Sequence, residues 1–386
     1  MIAASRPIQR PPAAKLLVID ALGRISLAPR SSVVDFLRPG DLVIANDAAT
    51  LPASLRGIHA PTGQPVEVRL VGRPSLGADS VRNFSAIVFG AGDFHTRTED
   101  RPAPPPLSAG DRLTLGPLSA AVERLLGHPR LVLLRFDGEP DVIWDGLARH
   151  GRPIQYSHVP EPLAMWDVWT PIAGTPAAFE APSAGFALNW QMLAAMHARG
   201  VEFCTLTHAA GISSTGDAEL DRQLPFDEPY HIPDSTVAAI RRAGIVGGRI
   251  VAIGTTVVRA LEHAAAAGGR VRSGEALANQ RIGSTSRLRV VDVILSGTHE
   301  PGTSHFELLR AFADDEVLGR ANQTLEALGF RTHEFGDSVL IEKSVNARPD
   351  SERAGESLLD TGSGHKLPIG RIAKRFSAFS AFSNQP

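Results

Sequence analysis

An α/β core carrying a small antiparallel β barrel is the fold class that the sequence predicts, and three observations predict it. Beyond Arg152, short apolar strands alternate with helical segments, which implies a sheet that is largely parallel with helices packed on it. Between Pro61 and His150 the texture changes to short apolar runs separated by Gly- and Pro-rich turns, the pattern of a small barrel or sandwich. Residues ahead of Pro61 read as strand, helix, strand.

In order along the chain, Lys15 to Asp20 (K-L-L-V-I-D) is an apolar strand and Ser32 to Leu37 a short amphipathic turn or helix. Pro39-Gly40 then launches a buried strand that closes on Asn46-Asp47. In the β-rich part, strands fall at Val66 to Val71, Ala86 to Phe89, Asp111 to Leu115 and Leu131 to Phe136. The run Arg101 to Pro106 (R-P-A-P-P-P) is expected as a surface loop. Ala86 to His95 (A-I-V-F-G-A-G-D-F-H) imitates a dinucleotide fingerprint, but its third glycine is absent and no helix follows, so it is expected as a hairpin turn. Later come a helix at Met192 to Ala198, a strand at Val201 to Thr207, and a helix from Ser235 to Ala243 capped by Ser235. Gly247 to Ala265 is strand, tight turn and helix; Val290 to Leu295 is a strand and Phe306 to Phe312 a helix. Glu334 to Ile341 is a glycine turn entering a strand, with Asp337 exposed, and 344–386 has the composition of a disordered tail.

Composition narrows the function. The chain has 386 residues, 43% hydrophobic and 21% charged, with a formal net charge of −2. That balance suits a soluble protein and offers no global attraction to nucleic acid. The start of the chain lacks the apolar stretch of a secretory signal, and no apolar run approaches the ~20 residues of a membrane helix, so a cytoplasmic location is expected. A single cysteine, Cys204, excludes an internal disulfide and a Cys-rich zinc site.

The clearest chemical signal is Arg249 to Arg259 (R-I-V-A-I-G-T-T-V-V-R). A strand ends at Gly254, and Thr255 or Thr256 would cap the helix that follows. Free N–H groups at a helix start suit an anionic or polar ligand group, and Arg259 one turn on would add a charged donor. An ordinary capped turn fits the same pattern. Asn46-Asp47 closes a buried strand, where α/β folds place ligand-binding side chains, although a turn would also use these residue types. Trp166 and Trp169 fit either base stacking or core filling. His299 and His305 lack the spacing of one helix face, and no H-E-x-x-H pattern occurs, so no metal is expected.

Taken together, Asn46-Asp47 with Pro52-Ala53, Val66-Glu67-Val68, Ala181 to Gly185 (A-P-S-A-G), Val201 with Thr205 to His208, Val251 to Glu262, Val290-Val291-Asp292, His299 with Pro301, and Phe335-Gly336-Asp337 follow one order. From about Leu16 to Glu342 that order resembles the S-adenosylmethionine:tRNA ribosyltransferase-isomerase family. The resemblance implies a core domain built from 1–60 and 151–343 with a β-barrel domain, 61–150, inserted into it. It implies transfer of the ribosyl part of S-adenosylmethionine to a 7-aminomethyl-7-deazaguanine base in tRNA. Epoxyqueuosine forms, adenine and methionine leave, and no metal takes part. The sulfonium acidifies the adjacent 5′ carbon, so a positioned base would form an ylide and expel adenine.

Carried onto this chain, the resemblance makes His208, His299 and Asp47 the catalytic candidates. Ser183, Ala184, Gly185, Gly254, Thr255, Thr256 and Arg259 become the candidates for holding S-adenosylmethionine, and Asn46, Glu228 and Trp169 for the acceptor. The chain also departs from the family. The histidine of A-P-T-A-G-L-H-F falls on Ala187, two arginines near Asn46 fall on Ala49 and Ser54, and a tyrosine pair falls on Trp166 and Trp169. Phe226 stands where the family has another histidine. Lost cations leave two acceptors open, tRNA and a small-molecule or nucleoside substrate, beside a purely binding role.

Overall fold

The computed structural model describes residues 1–345. The main sheet opens with strands β1 (Lys15–Ile19), β2 (Ile25–Pro29) and β3 (Leu42–Asn46). Six strands then close into a barrel: β4 (Ser54–His59), β5 (Gln64–Gly72), β6 (Asn83–Phe89), β7 (Arg112–Leu115), β8 (Leu118–His128) and β9 (Leu131–Phe136). Returning to the first sheet, the chain adds β10 (Glu202–His208), β11 (Glu228–Ile232), β12 (Ile250–Ile253), β13 (Gly274–Ala278), β14 (Val293–Gly297) and β15 (Ser338–Glu342). Its order is β13-β11-β10-β3-β12-β14-β15-β1-β2. The longer helices are α1 (Pro140–His150), α2 (Trp190–Ala198), α3 (Asp234–Ile245), α4 (Thr255–Ala266), α5 (Ser304–Leu309) and α6 (Asp315–Ala327).

Strand alternation sorts each side chain to one of two cores. Leu17, Ile19, Leu42 and Ile44 face the layer that holds Val257, Leu261, Phe312 and Leu318. Their neighbours Leu16, Val18, Val43 and Ala45 face Met192, Met196 and Val34 on the other side. All five residues of β3 are buried, as expected for a strand covered on both faces. The barrel has its own core, in which Phe84 meets Phe136 and Phe179 edge-on.

The sheet is mixed rather than largely parallel. The pairings β10–β3, β3–β12, β12–β14 and β15–β1 are parallel, while β14–β15, β1–β2, β10–β11 and β11–β13 are antiparallel. Short connections at the edges let strands fold back, and only the centre needs helical crossovers. Inside the region expected to be all β lies α1. Pro140 at its first position and buried Ile143 and Leu147 on one face are the helix signals that the texture of the surrounding strands obscured. The loop after Phe89 is not a hairpin, because β6 pairs with β9 and β5 and not with β7, the next strand in the chain. It crosses to β7 instead, and Gly90 lies so close to Ala103 that a Cβ would sit 2.5 Å from that carbonyl oxygen. Arg101, expected on the surface, is buried and ion-paired with Glu67, which Arg69 Nε also contacts at 2.8 Å.

Further expectations change for local reasons. Pro233 rather than Ser235 is the N-cap of α3, and Gly254 rather than either threonine is the N-cap of α4; neither cap makes a side-chain bond. Asp337 is buried, accepting from the backbone N–H of Lys15 at 2.7 Å and of Arg331 at 2.8 Å. Trp166 and Trp169 fill no core, being 75% and 44% exposed. The expected tail, Ser344 and Val345 apart, lies outside the described residues.

Candidate active site

Parallel strands of an α/β sheet end where their loops leave a crevice, and ligands settle there. Beyond the ends of β10, β12 and β14 lies a cavity of about 570 Å³. Its walls are the segments after those strands (Ala210 to Ser214, Gly254 to Thr256, Ser296 to Glu300), the turn Ala181 to Ala184, and Tyr156 to His158. His305 of α5, Thr332 to Glu334, Glu228 and Arg259 also line it, with Arg97 to Glu99 contributed from the barrel loop.

Gly254 adopts φ +95° and ψ 159°, a region essentially closed to residues with a Cβ. An added Cβ would also stand 3.3 Å from that of Ala184. This close approach joins the A-P-S-A-G turn, a 3-10 helix from Ser183, to the start of α4. Because the N-cap has no side chain, the first-turn N–H groups of α4 receive no side-chain acceptor and a ligand oxygen would suit them. Gly185 does not line the cavity; it is buried beneath the turn, facing Thr170.

The expected catalytic residues divide. His299 lines the cavity, and its Nε2 is 2.9 Å from Ser296 Oγ. Burial, reinforced by His305 and His333, holds its pKa well below 6.5, so the ring is neutral near pH 7. His305 lies 4.7 Å away ring to ring and is pushed down to about 4, first by burial and then by Arg259. His208, by contrast, has no exposed surface and does not line the cavity. Its Nε2 is 3.5 Å from Glu228 Oε2 without hydrogen-bond alignment, and burial followed by Arg259 drives its pKa far down.

Asp47 does not line the cavity either, accepting from Thr205 and Thr207 hydroxyls at 2.8 and 2.7 Å. Asn46 bridges β3 and β10: its Nδ2 donates to the His208 carbonyl and its Oδ1 accepts from the His208 N–H. The same Nδ2 reaches Thr256 Oγ1 at 3.3 Å, so Asn46 braces a residue that lines the cavity and does not line it itself. Trp169 does not line the cavity either, its Nε1 donating to the Thr50 carbonyl. Arg259 reaches the cavity, but its guanidinium is committed to Glu228 and to the carbonyls of Phe226, Ala278 and Gln280. Glu228 accepts in addition from the Gly211 N–H at 2.6 Å. Arg259 therefore brings no unpaired cation to the site. Other motif acids brace loops in the same way; Glu262 accepts three backbone N–H groups from Arg289, Val290 and Val291.

Sequence reasoning missed Tyr156, Glu180, His158, His333 and Glu334. The Tyr156 hydroxyl donates to Glu180, which also accepts from the Ser213 N–H at 3.0 Å. Glu180 ends the apolar run Ala177 to Phe179 just before the A-P-S-A-G turn, and an acid in that place was the available signal. Burial, with Glu334 nearby, raises it from 4.5 to about 7 against the opposing Tyr156 bond. The folded protein then holds a proton that the unfolded chain has released, so this group's stabilisation falls as pH rises from about 4.5 to about 7. Glu180→Gln is expected to flatten that slope in thermal melts between pH ~5 and ~8. Equal pH dependence in both proteins would refute the assignment.

Comparison with known proteins returns one family. A family model described as "Queuosine biosynthesis protein" matches residues 1–341. A relative from Citrifermentans bemidjiense, named S-adenosylmethionine:tRNA ribosyltransferase-isomerase, is 32% identical over 356 residues, covering 88% of this chain and 95% of its own. Relatives with the same name from Pelobacter propionicus (33% over 319 residues, 80% and 87% covered) and Thermus thermophilus (31% over 337 residues, 85% and 92%) agree. A solved S-adenosylmethionine tRNA ribosyltransferase from Thermotoga maritima aligns at 22% identity with a TM-score of 0.46, over 88% of this chain and 96% of that one.

Proposed function

The chain belongs to the queuosine biosynthesis protein family, and from that premise we propose that it is an S-adenosylmethionine:tRNA ribosyltransferase-isomerase. It moves the ribosyl part of S-adenosylmethionine to a 7-aminomethyl-7-deazaguanine base in tRNA, giving epoxyqueuosine and releasing adenine and methionine. The observation that carries this reading is the close approach of Ala184 to Gly254, where an added Cβ would stand 3.3 Å from that of Ala184. Two motifs distant in sequence, A-P-S-A-G and I-G-T-T-V-V-R, form one wall of one cavity.

Charge in the cavity suits the substrates. S-adenosylmethionine carries a sulfonium and an ammonium, and the acceptor base carries an aminomethyl group. Glu300 and Glu334 line the cavity, while Arg259 is offset by Glu228. The first turn of α4 and the Ser183 turn receive oxygens of the S-adenosylmethionine, its carboxylate or ribose hydroxyls. His299 removes the acidified 5′ proton: its ring is neutral, faces the cavity and is oriented by Ser296. Glu180 and Tyr156 form a second proton-holding pair across the site, suited to the leaving base or to the acceptor amine. His208 and Asn46 lie behind the wall and support the fold there.

The test is an incubation of the protein with labelled S-adenosylmethionine and tRNA carrying the precursor base. Free adenine and epoxyqueuosine in the digested tRNA are expected together. Adenine without modified tRNA would overturn the acceptor, and no adenine at all would overturn the reaction.

A further inference from the structure

Three residues on the cavity wall, His158, His333 and Glu334, carry no proton-transfer role in the reaction just described. His158 Nε2 lies 3.0 Å from Glu334 Oε2, and the His158 and His333 rings stack with centroids 4.2 Å apart. One ligand atom from each of His158, His333 and Glu334 falls within 4.8 Å of the others. All three residues line the cavity. From these positions we propose that His158, His333 and Glu334 form a binding site for a zinc-class divalent ion, with its remaining coordination position open to the cavity.

The donor set is two imidazoles and a carboxylate, a combination used by zinc sites that keep a position free for water or substrate. Around a tetrahedral ion with bonds of about 2.0–2.2 Å, ligand atoms stand roughly 3.3 Å apart. The His158–Glu334 edge already has nearly that length. His333 completes the set by turning about its side-chain bonds, for which it has room, because it is exposed. Stacked rings do not aim their lone pairs at one point, so this rotation is required.

Two features hold the donors in place. The Tyr156 ring lies parallel to that of His158, with centroids 6.1 Å apart. His333 has φ +68°, which residues with a Cβ adopt at a cost, and its carbonyl accepts from the Gly336 N–H at 3.0 Å. The turn thus presents His333 and Glu334 side by side toward the cavity. No spacing rule would find such a site from sequence, since His158 and His333 meet only in the fold.

The test uses the full-length protein without an affinity tag, stripped with a chelator and titrated with Co²⁺. Visible bands of tetrahedral Co²⁺ saturating at one ion per chain, and displaced by Zn²⁺, are expected. Glu334→Gln and His333→Gly should each weaken binding by more than about a hundredfold, since even groups behind the ligands account for ten- to a hundredfold. Glycine accepts the φ of position 333, so that variant removes the ligand without straining the turn. No saturable binding in the micromolar range overturns the site, as does binding that survives both replacements. Neither readout depends on the transferase reaction.

Discussion

Arg259→Ala is expected to destabilise the fold by about 3–5 kcal/mol, because it leaves the Glu228 carboxylate buried without its cation. Arg259 is 4% exposed and Glu228 5%. Beyond Glu228, the guanidinium donates to three carbonyls, at 3.2 Å to Phe226, 3.0 Å to Ala278 and 3.3 Å to Gln280. Truncation therefore strands a charge and several acceptors at once. Burial already raises the Glu228 pKa while Arg259 opposes the shift, so in the variant the carboxyl rises further. A raised acid holds its proton in the folded state and releases it on unfolding, so the variant loses stability as pH rises above the ordinary carboxylate range. Chemical denaturation at two pH values measures both effects. Pairing Arg259→Met with Glu228→Gln should recover much of the loss, since neither partner is then left charged alone. A loss under about 1 kcal/mol, independent of pH, would show that the pair behaves like a solvated surface bridge.

His299→Ala is expected to lower kcat by about 10²–10⁴, the range for removing a general base, with little change in KM for S-adenosylmethionine. The geometry motivates the split. His299 faces the cavity and is held by Ser296 at 2.9 Å, whereas the proposed cradle is backbone from Ser183 and from the start of α4. Truncation should remove proton transfer and leave that cradle in place. Adenine release under single-turnover conditions isolates the step. His208→Ala makes the instructive contrast. That ring lies behind Glu228 with no exposed surface, so its loss should act through stability, and folded enzyme should keep most of its kcat. If His208→Ala abolished turnover in a folded protein while His299→Ala did not, the two roles would have to be exchanged.

Residue types alone could not separate these two histidines. Each stands in a motif of the family, and each lies at or just beyond the end of a strand. What divides them is the direction of the side chain relative to the sheet. His208 is the last residue of β10 and points inward beside Tyr230, with ring planes 8° apart. His299 follows β14 on a loop and opens into the cavity. Similar reversals overtook Asp47, Asn46 and Asp337, whose side chains are occupied by strand hydroxyls and backbone N–H groups. Short acids and amides at strand ends serve a ligand or the backbone equally well, and only the neighbouring chain decides which.

The sequence by itself determined the core strands, the barrel texture, the membership in the family, and the two backbone turns that line the cavity. These depend on local periodicity and on glycines whose conformation few residues share, both of which are written within a few neighbouring positions. Only the tertiary structure decided that Arg259 is neutralised by Glu228, that Glu180 faces Tyr156, and that His158 meets His333 and Glu334. Those are contacts between residues far apart in the chain, brought together where several loops meet at one crevice. Burial then changes the chemistry of the groups it encloses, lowering His299 and raising Glu180, and burial is a property of the packed fold rather than of any residue in it.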